Sequence, residues 1–452
     1  MPWPREMPSK VQNQSCPKPN PLQRVMHTVL DASAPFAQNK AGMAAPPIGL
    51  ILTGGGARAA YQIGVLQEIS EMRARHCGAK SNPFQIICGT SAGAINASML
   101  ACGADRFDET LGTLATIWRD FQTHHVYRSD VLDMVRSGAR WVTLLSLGWL
   151  FSQKRLRPRS LLDNSPLGQL LQTHIDFSRL PQLLSNGHLQ ALAITASSYT
   201  SSEHVTFYQS QTPVQPWLRN QRIAQACQLQ HEHLLASSGI PFVFPATRLQ
   251  GPRGTGWYGD GAMRQTAPTS PAIHLGAQKI LVIGAGRMHE PQNAVMASDT
   301  DYPSMAHIAG HALSSIFLDS LAVDVERLQR VNHTLSLIPE EKRSASSLRP
   351  IDLLVISPSE RLDVIAMQHA DALPGTVQRL LQAMGSSVRP HQKQGGALIS
   401  YLLFESVYTR ALMALGRSDA QAKAQEICRF FGWTTPQAQV KQKGPGDHSP
   451  SP

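Results

Sequence analysis

The sequence predicts an α/β fold, a parallel or mixed sheet covered by helices, on three observations. Between Ile48 and about Gly284, short apolar β-like runs alternate with stretches of helical periodicity. Two glycine-rich turns each follow such a run and precede a helical pattern. They are Gly54-Gly55-Gly56-Ala57-Arg58-Ala59 and Gly89-Thr90-Ser91-Ala92-Gly93. With 452 residues, 42% apolar and 16% charged, the composition is that of an ordinary globular protein with room for one large core or two domains.

The elements follow in order. Residues 1–47 and 434–452 are rich in Pro, Gln, Ser or Lys and carry too little apolar surface to offset their ordering entropy, so both are expected to be disordered. A first strand is expected at 49–52, a helix at 62–75, a second strand at 85–88 and a helix at 94–101. Strands are expected again at 189–196, 205–208 and 279–284. Beyond these, helical periodicity dominates 307–332 and 395–431, with a strand-like run at 351–356 between. The organisation expected is an α/β domain over 48–286 and a mainly helical region over 287–433 packed on it, without internal repeats.

Lys plus Arg of 41 against Asp plus Glu of 31 gives a net charge of +10, which draws the surface toward anionic partners. No RNA-binding signature, finger spacing or concentrated basic helix accompanies that charge, so an anionic lipid surface is expected and nucleic acid is not. The six cysteines are scattered without a C-x-x-C pair and read as reduced thiols. No stretch of signal-peptide length is evident, which favours a cytoplasmic protein. No apolar run reaches spanning length, so membrane contact is expected to be peripheral at most, at the inner face. Its candidate is 141–159, where an aromatic and aliphatic stretch precedes Lys154, Arg155, Arg157 and Arg159. Such a segment suits an interfacial helix or a lid. It equally suits a buried helix whose C-terminus is flanked by cations.

Gly89-Thr90-Ser91-Ala92-Gly93 has the form of a nucleophile elbow, in which small residues let a strand and a helix crowd a strained serine. The helix expected after Ser91 points its N-terminal dipole at charge developing there. Successive glycines at 54–56 let backbone N–H groups converge on one anion, and Arg58 can add charge or fix the loop. A dinucleotide turn is the competing reading of Gly54-x-Gly56-x-x-Ala59. It lacks the acid expected at a second strand end, since Glu68 and Glu71 fall within a helical pattern. For a base, Asp260 in Trp257-Tyr258-Gly259-Asp260-Gly261-Ala262 is the best candidate. It is a carboxylate between glycines in an apolar and aromatic setting that would raise its pKa.

Taken in order, Gly54-Gly55-Gly56-Ala57-Arg58, Gly89-Thr90-Ser91-Ala92-Gly93 and Asp260-Gly261-Ala262 resemble the three signatures of patatin-like phospholipases of the bacterial type, and 236–245 resembles the stretch upstream of the family's aspartate. The resemblance covers about 48–286. It implies a three-layer α/β/α sandwich of the patatin type, here with a mainly helical C-terminal extension. It also implies a Ser91–Asp260 dyad without a histidine, an oxyanion hole at Gly54, Gly55, Gly56 and Arg58, and hydrolysis of lipid acyl esters through an acyl-enzyme. Ala59 departs from the glycine that many members carry there; one methyl is tolerable unless the position needs positive φ.

His204, His231, His233 and His274 would be triad candidates in a classical esterase, and surface or satisfied core polarity is the simpler role for them. His231-Glu232-His233 does not make a metal site, because i and i+2 side chains diverge on a helix. No metal or cofactor is expected. The reading is a phospholipase A-like acyl hydrolase acting on phospholipid or another acyl lipid. Its rivals are an esterase or thioesterase on soluble acyl compounds and a non-catalytic lipid-binding scaffold at a membrane surface.

Overall fold

A computed structural model describes residues 46–78, 81–128, 160–219, 221–288, 302, 304–343, 346, 348–383, 385 and 396–433. The 141–159 segment and, apart from Pro46 and Pro47, the two terminal stretches expected to be disordered lie outside the described residues. The chain divides into two units: Ala45–His333 with Pro350–Pro452, and Met1–Ala44 with Thr334–Arg349.

In the larger unit β1 (Ile48–Leu52) leads through the glycine turn into α1 (Ala60–Cys77), and β2 (Ile86–Thr90) runs directly into α2 (Ala92–Cys102) and α3 (Phe107–Arg119). There follow α4 (Ser165–His174), α5 (Leu180–Ser185), β3 (Ala191–Ser198), β4 (His204–Ser210), β5 (Leu218–Arg219), β6 (Arg222–Ala226) and α6 (His231–Ser237). A hairpin of β7 (Thr247–Gly251) and β8 (Gly254–Asp260), then α7 (Ser270–His274) and β9 (Lys279–Ile283), complete the α/β part. Next come α8 (Met305–Ser314) and α9 (Ser320–Ser336), joined by a π-helical turn at Ser315–Asp319. The smaller unit holds α10 (Glu340–Arg343), where Arg343 Nε donates to Ile338 O at 2.8 Å. The larger unit resumes with β10 (Asp352–Ile356), α11 (Leu362–Gln368), α12 (Gly375–Ala383), α13 (Gly396–Leu402), α14 (Ser406–Ala422) and α15 (Ala424–Phe431).

The strands form one mixed sheet in the order β10-β9-β1-β2-β3-β4-β6-β5, with β8 paired to β3 and β7 to β8. From β10 to β3 every pairing is parallel; β4 and β8 run antiparallel to β3. The central strands are buried on both faces, which is why they read as continuous apolar runs. Alternation puts Leu50, Leu52, Ile87 and Ile194 in one core with α1, α2 and α14. Ile51, Ile86, Cys88 and Ala193 face a second core, closed by Leu321, Val325 and Leu328 of α9. The result is a three-layer α/β/α sandwich with a helical C-terminal part, as expected.

One expectation needs correction. Met305–Ser336 is one run of 32 residues, long and apolar enough by length and composition to cross a membrane, where no such stretch was expected. The sequence reading sought an uninterrupted apolar run, whereas this helix interleaves apolar residues with His, Ser and Asp. Leu321, Val325 and Leu328 spend its apolar surface on the second core. The stretch at 396–431 is helical, as expected, and is broken into segments, with α13 and α14 meeting at 96°. Neither Gly nor Pro marks that corner; burial of Leu403 and Phe404 in the first core makes it.

Helices α1 and α14 cross at reciprocal glycines. A Cβ on Gly64 would overlap Met413 O, and one on Gly416 would overlap Tyr61 O. Beside this crossing Tyr61 Oη donates to Asp419 Oδ2 at 2.9 Å, which also accepts Ser359 N at 2.9 Å. Gly416→Ala is therefore expected to cost about 1–3 kcal/mol by overpacking, read as a lower midpoint of urea unfolding; an unchanged midpoint would show that the helices part without penalty.

Candidate active site

Two strand ends, those of β2 and β8, meet across β3 because of register. Thr90, the last residue of β2, pairs with Thr195 of β3, and Ala196, one residue on, pairs with Asp260 of β8. Ser91 follows Thr90, so the serine and the aspartate meet across β3. Thr90 Oγ1 and Thr195 Oγ1 lie 2.7 Å apart, and Gln265 Nε2 donates to Thr90 Oγ1 at 2.9 Å, tying β2, β3 and the turn after β8 together. The carboxyl ends of parallel strands are where open α/β sheets build their sites.

Ser91 has φ 54° and ψ −131°, a backbone state an L-residue adopts only under constraint. The constraint is close packing: a Cβ on Gly89 would overlap Ala94 Cα, and one on Gly93 would overlap Leu52 O. Ser91 N donates to Ser237 Oγ at 2.9 Å, and Ser91 O accepts Ala94 N at 2.8 Å to start α2. The side chain is thereby aimed at Asp260, and Ser91 Oγ donates to Asp260 Oδ2 at 2.7 Å.

Asp260 is fully buried, and its other oxygen accepts Ala262 N at 2.9 Å. Burial pushes its carboxyl up from 3.8 to about 7, against the opposing pull of the Ala262 N–H and the Ser91 hydroxyl. Gly261 is required behind it, since a Cβ there would overlap Thr195 O. His204 Nε2 donates to Gly261 O at 3.1 Å, and burial lowers this imidazole to about 4, so it is neutral at pH 7. His231 bonds Ile175 O, His233 Nδ1 accepts Gln230 N, and His274 stacks on Trp217. None of the four histidines bonds Ser91 or Asp260.

The glycine turn leaves β1 beside β2, next to Ser91. Gly54 packs against Ser91 Cβ and the Phe317 ring, Gly55 against Ala285, and Gly56 takes φ 55° under Tyr401 O. Gly55 and Gly56 are buried, and their N–H groups donate to nothing among the described residues. Arg58 takes the fixing role of its two expected ones. Its Nε donates to Ser400 Oγ at 2.8 Å, and its guanidinium stacks 4.1 Å over the Tyr401 ring. These α13 contacts, and the support from Ser237, Thr195 and Gln265, were missed by sequence reasoning because their signal is contact across long separations. Ser237 alone fell within a stretch that the family resemblance singled out; Thr195, Ser400 and Tyr401 fell within expected elements without a role at the site.

Ser91 opens into a cavity of about 60 Å³. Apart from Ser91, Ser238 and His174, its side chains are apolar or aromatic, among them Ile95, Trp118, Phe121, Ile240 and Phe244. Among the described residues no three His, Cys, Asp or Glu side chains gather as metal ligands.

Residues 50–273 match the family described as patatin-like phospholipase. The chain belongs to that family through this domain. Family membership makes lipid hydrolysis its class of activity. Solved structures to which the chain is similar include VipD from Legionella pneumophila, at 13% identity and TM-score 0.28, with 82% of this chain and 67% of that one covered. Human GIVD cytosolic phospholipase A2, in complex with methyl γ-linolenyl fluorophosphonate and terbium chloride, is 12% identical at TM-score 0.37, with 86% of this chain and 59% of that one covered. The chain thus spans about three fifths of that human protein. Full-length ExoU of Pseudomonas aeruginosa, solved with SpcU, is 15% identical at TM-score 0.23, with 85% and 80% covered. No curated protein matches the chain.

The raised carboxyl of Asp260 has a consequence for stability. A group whose folded pKa lies above its unfolded value stabilises the fold at low pH, and that contribution is lost as pH rises through the folded value. Here the window runs from 3.8 to about 7. Asp260→Asn, which cannot ionise, is expected to melt above wild type at pH 8 and to flatten the pH dependence across that window. Equal melting curves at pH 8 would overturn this account of the buried carboxylate.

Proposed function

We propose that the protein hydrolyses acyl esters of phospholipid or a similar lipid through Ser91 and Asp260, in the manner of a phospholipase A. The observation that carries this reading is the 2.7 Å bond from Ser91 Oγ to the buried Asp260, at the end of an apolar cavity. Asp260 takes the hydroxyl proton as Oγ attacks the acyl carbon, and the carbonyl electron pair moves onto oxygen. The N–H groups of Gly55 and Gly56 and the N-terminus of α2 receive that oxyanion; Gly54 and Arg58 hold the turn in place. Collapse expels the alkoxide, which takes the proton from Asp260 and leaves an acyl ester on Ser91. A water then gives its proton to Asp260 and attacks the acyl carbon, and Ser91 Oγ leaves with that proton as the fatty acid departs.

Each part needs the others. The elbow residues Gly89, Thr90, Ala92 and Gly93 hold Ser91, and Gly261 and Ala262 hold Asp260. Burial that raises Asp260 toward neutrality makes it a stronger base than a solvated carboxylate. In this reading 48–286 carries the chemistry and 287–433 supplies the helices that brace it. The basic 141–159 segment makes peripheral contact with anionic membrane. The apolar cavity favours an acyl chain over a compact soluble ester.

The test is fatty-acid release from anionic phospholipid vesicles by wild type, Ser91→Ala and Asp260→Asn, with folding checked by circular dichroism. Both variants are expected to lose at least a hundredfold in kcat, the scale of losing an essential group. For wild type, kcat/KM is expected to climb with pH to a plateau, half-maximal near 7, because the base must be ionised. Near-normal release by folded Ser91→Ala would reject Ser91 as the nucleophile. Hydrolysis of small soluble esters alone would move the substrate class away from lipid.

A further inference from the structure

A row of paired residues crosses the sheet at the level of the site. Arg219 of β5 pairs with Arg222 of β6, Arg222 with His204 of β4, His204 with Ser197 of β3, and Ser197 with Gly259 of β8, the neighbour of Asp260. From Arg222 to Gly259 is three strand spacings, about 14 Å. Paired residues share a side of the sheet, and alternation from Tyr208, Ala224 and Ala193 puts the row on the side of the second core. There Arg219 and Arg222 stand directly opposite one another, a like-charge pair that weakens a ladder. Burial lowers Arg222 from its ordinary value; Asp324 opposes this, and Arg327 of α9 and Arg219 add to it. Asp324 is already engaged, because its Oδ2 accepts Thr269 N at 2.9 Å and Thr269 Oγ1 at 2.6 Å. The side chains of Arg219, Arg222 and Arg327 make no hydrogen bond or ion pair among the described residues.

Two residues further out along the strands, about 7 Å, the same side carries aromatic rings. Tyr199, just past β3, lies against Gly259, and Trp257 precedes Gly259 on β8; they are 45% and 51% exposed. Arg248, opposite Trp257 in the β7–β8 hairpin, is exposed too, and its side chain has no partner among the described residues. We infer that this side of the sheet end is a docking face for an anionic phospholipid bilayer, with Tyr199 and Trp257 among the headgroups and Arg219, Arg222, Arg248 and Arg327 on their phosphates. Amphipathic rings settle at headgroup level, and guanidinium groups bind phosphate through paired N–H donors. The charges are spread across the sheet end rather than gathered round one anion, which suits a charged surface. The choice of lipid over an acidic protein rests on the hydrolase reading, in which the ester to be cleaved lies in a bilayer. Beyond the peripheral contact of 141–159, such a face orients the molecule, turning the strand ends that carry Ser91 and Asp260 toward the membrane. It also gives the Arg219–Arg222 opposition a use, since phosphate between the two relieves their repulsion.

Binding is measured apart from turnover, by sedimenting full-length Ser91→Ala with vesicles of phosphatidylcholine alone or of equal parts phosphatidylcholine and phosphatidylserine. Binding is expected on the mixed vesicles only, and to weaken with salt. Each arginine at such a surface is worth about fivefold in binding, so adding Arg219→Gln and Arg222→Gln together is expected to cost about twenty-fivefold. Arg219→Gln alone is expected to cost about fivefold while raising the midpoint of urea unfolding, because it removes the like-charge pair; an arginine with a merely structural role would lower that midpoint. Arg248→Gln, on the exposed hairpin, serves if the double variant does not fold, and is expected to cost about fivefold as well. With Ser91 restored, the double variant is expected to keep wild-type rates on a soluble butyrate ester and to slow on the mixed vesicles. Failure of Ser91→Ala to bind the mixed vesicles, equal binding to both kinds, or undiminished binding by the folded arginine variants overturns the face. Binding that falls as expected, with no fatty acid released by wild type, leaves the face standing and removes the hydrolase reading.

Discussion

The structure depends on a register: Thr90 opposite Thr195 and Ala196 opposite Asp260. The meeting of Ser91 and Asp260 follows from the fact that β2 and β8 end at the same level of β3. A one-residue slip of β8 against β3 would send the Asp260 side chain to the opposite face and leave Ser91 without its partner. The hydroxyl and amide bonds among Thr90, Thr195 and Gln265 sit where that slip would have to break them. Backbone contacts do the same work at the other strand ends. Gly93 rides on Leu52 O and Gly261 on Thr195 O, so the elbow and the aspartate turn are held against neighbouring strands at distances only glycine permits.

Burial is the second constraint, and it works against stability to serve chemistry. A carboxylate with no exposed surface, kept near neutrality in its pKa by desolvation alone, is a group the fold would be steadier without. The unpartnered amides of Gly55 and Gly56 and the left-handed Ser91 are of the same kind. Such costs are borne by a large core on both faces of the sheet. Strained and unsatisfied groups concentrated within one small volume, amid otherwise regular packing, single this volume out as the candidate site.

How much of this was legible in the sequence follows from the range of each interaction. Gly54–Arg58 and Gly89–Gly93 could be read because the turn chemistry is local, and the parallel strands because burial on both faces makes them continuous apolar runs. Asp260 could be singled out by its glycines. That it ends a strand could not, because β8 reads Gly-Thr-Gly-Trp-Tyr-Gly-Asp, with three glycines weakening the pattern. The Ser237 hydroxyl under Ser91 N and the corner between α13 and α14 were illegible for the same reason: each is decided by what lies opposite, more than a hundred residues away for Ser237 and in the first core for Phe404. The apolar Met305–Ser336 helix escaped because its hydropathy is an average over a long, interrupted stretch.

The C-terminal helices are part of the site's physics as well as of the fold. Gly56 holds its left-handed turn beneath Tyr401 O, Arg58 is bound to Ser400, and Phe317 of the π-helical turn lies on Gly54 and against Tyr401 at 5.0 Å between rings. The glycine turn belongs to the α/β part by sequence, yet α13 and the α8–α9 junction pack directly against it. Gly416 of α14 in turn meets Tyr61, the second residue of the helix that leaves this turn, so the region beyond the family match packs both on the glycine turn and on α1 behind it.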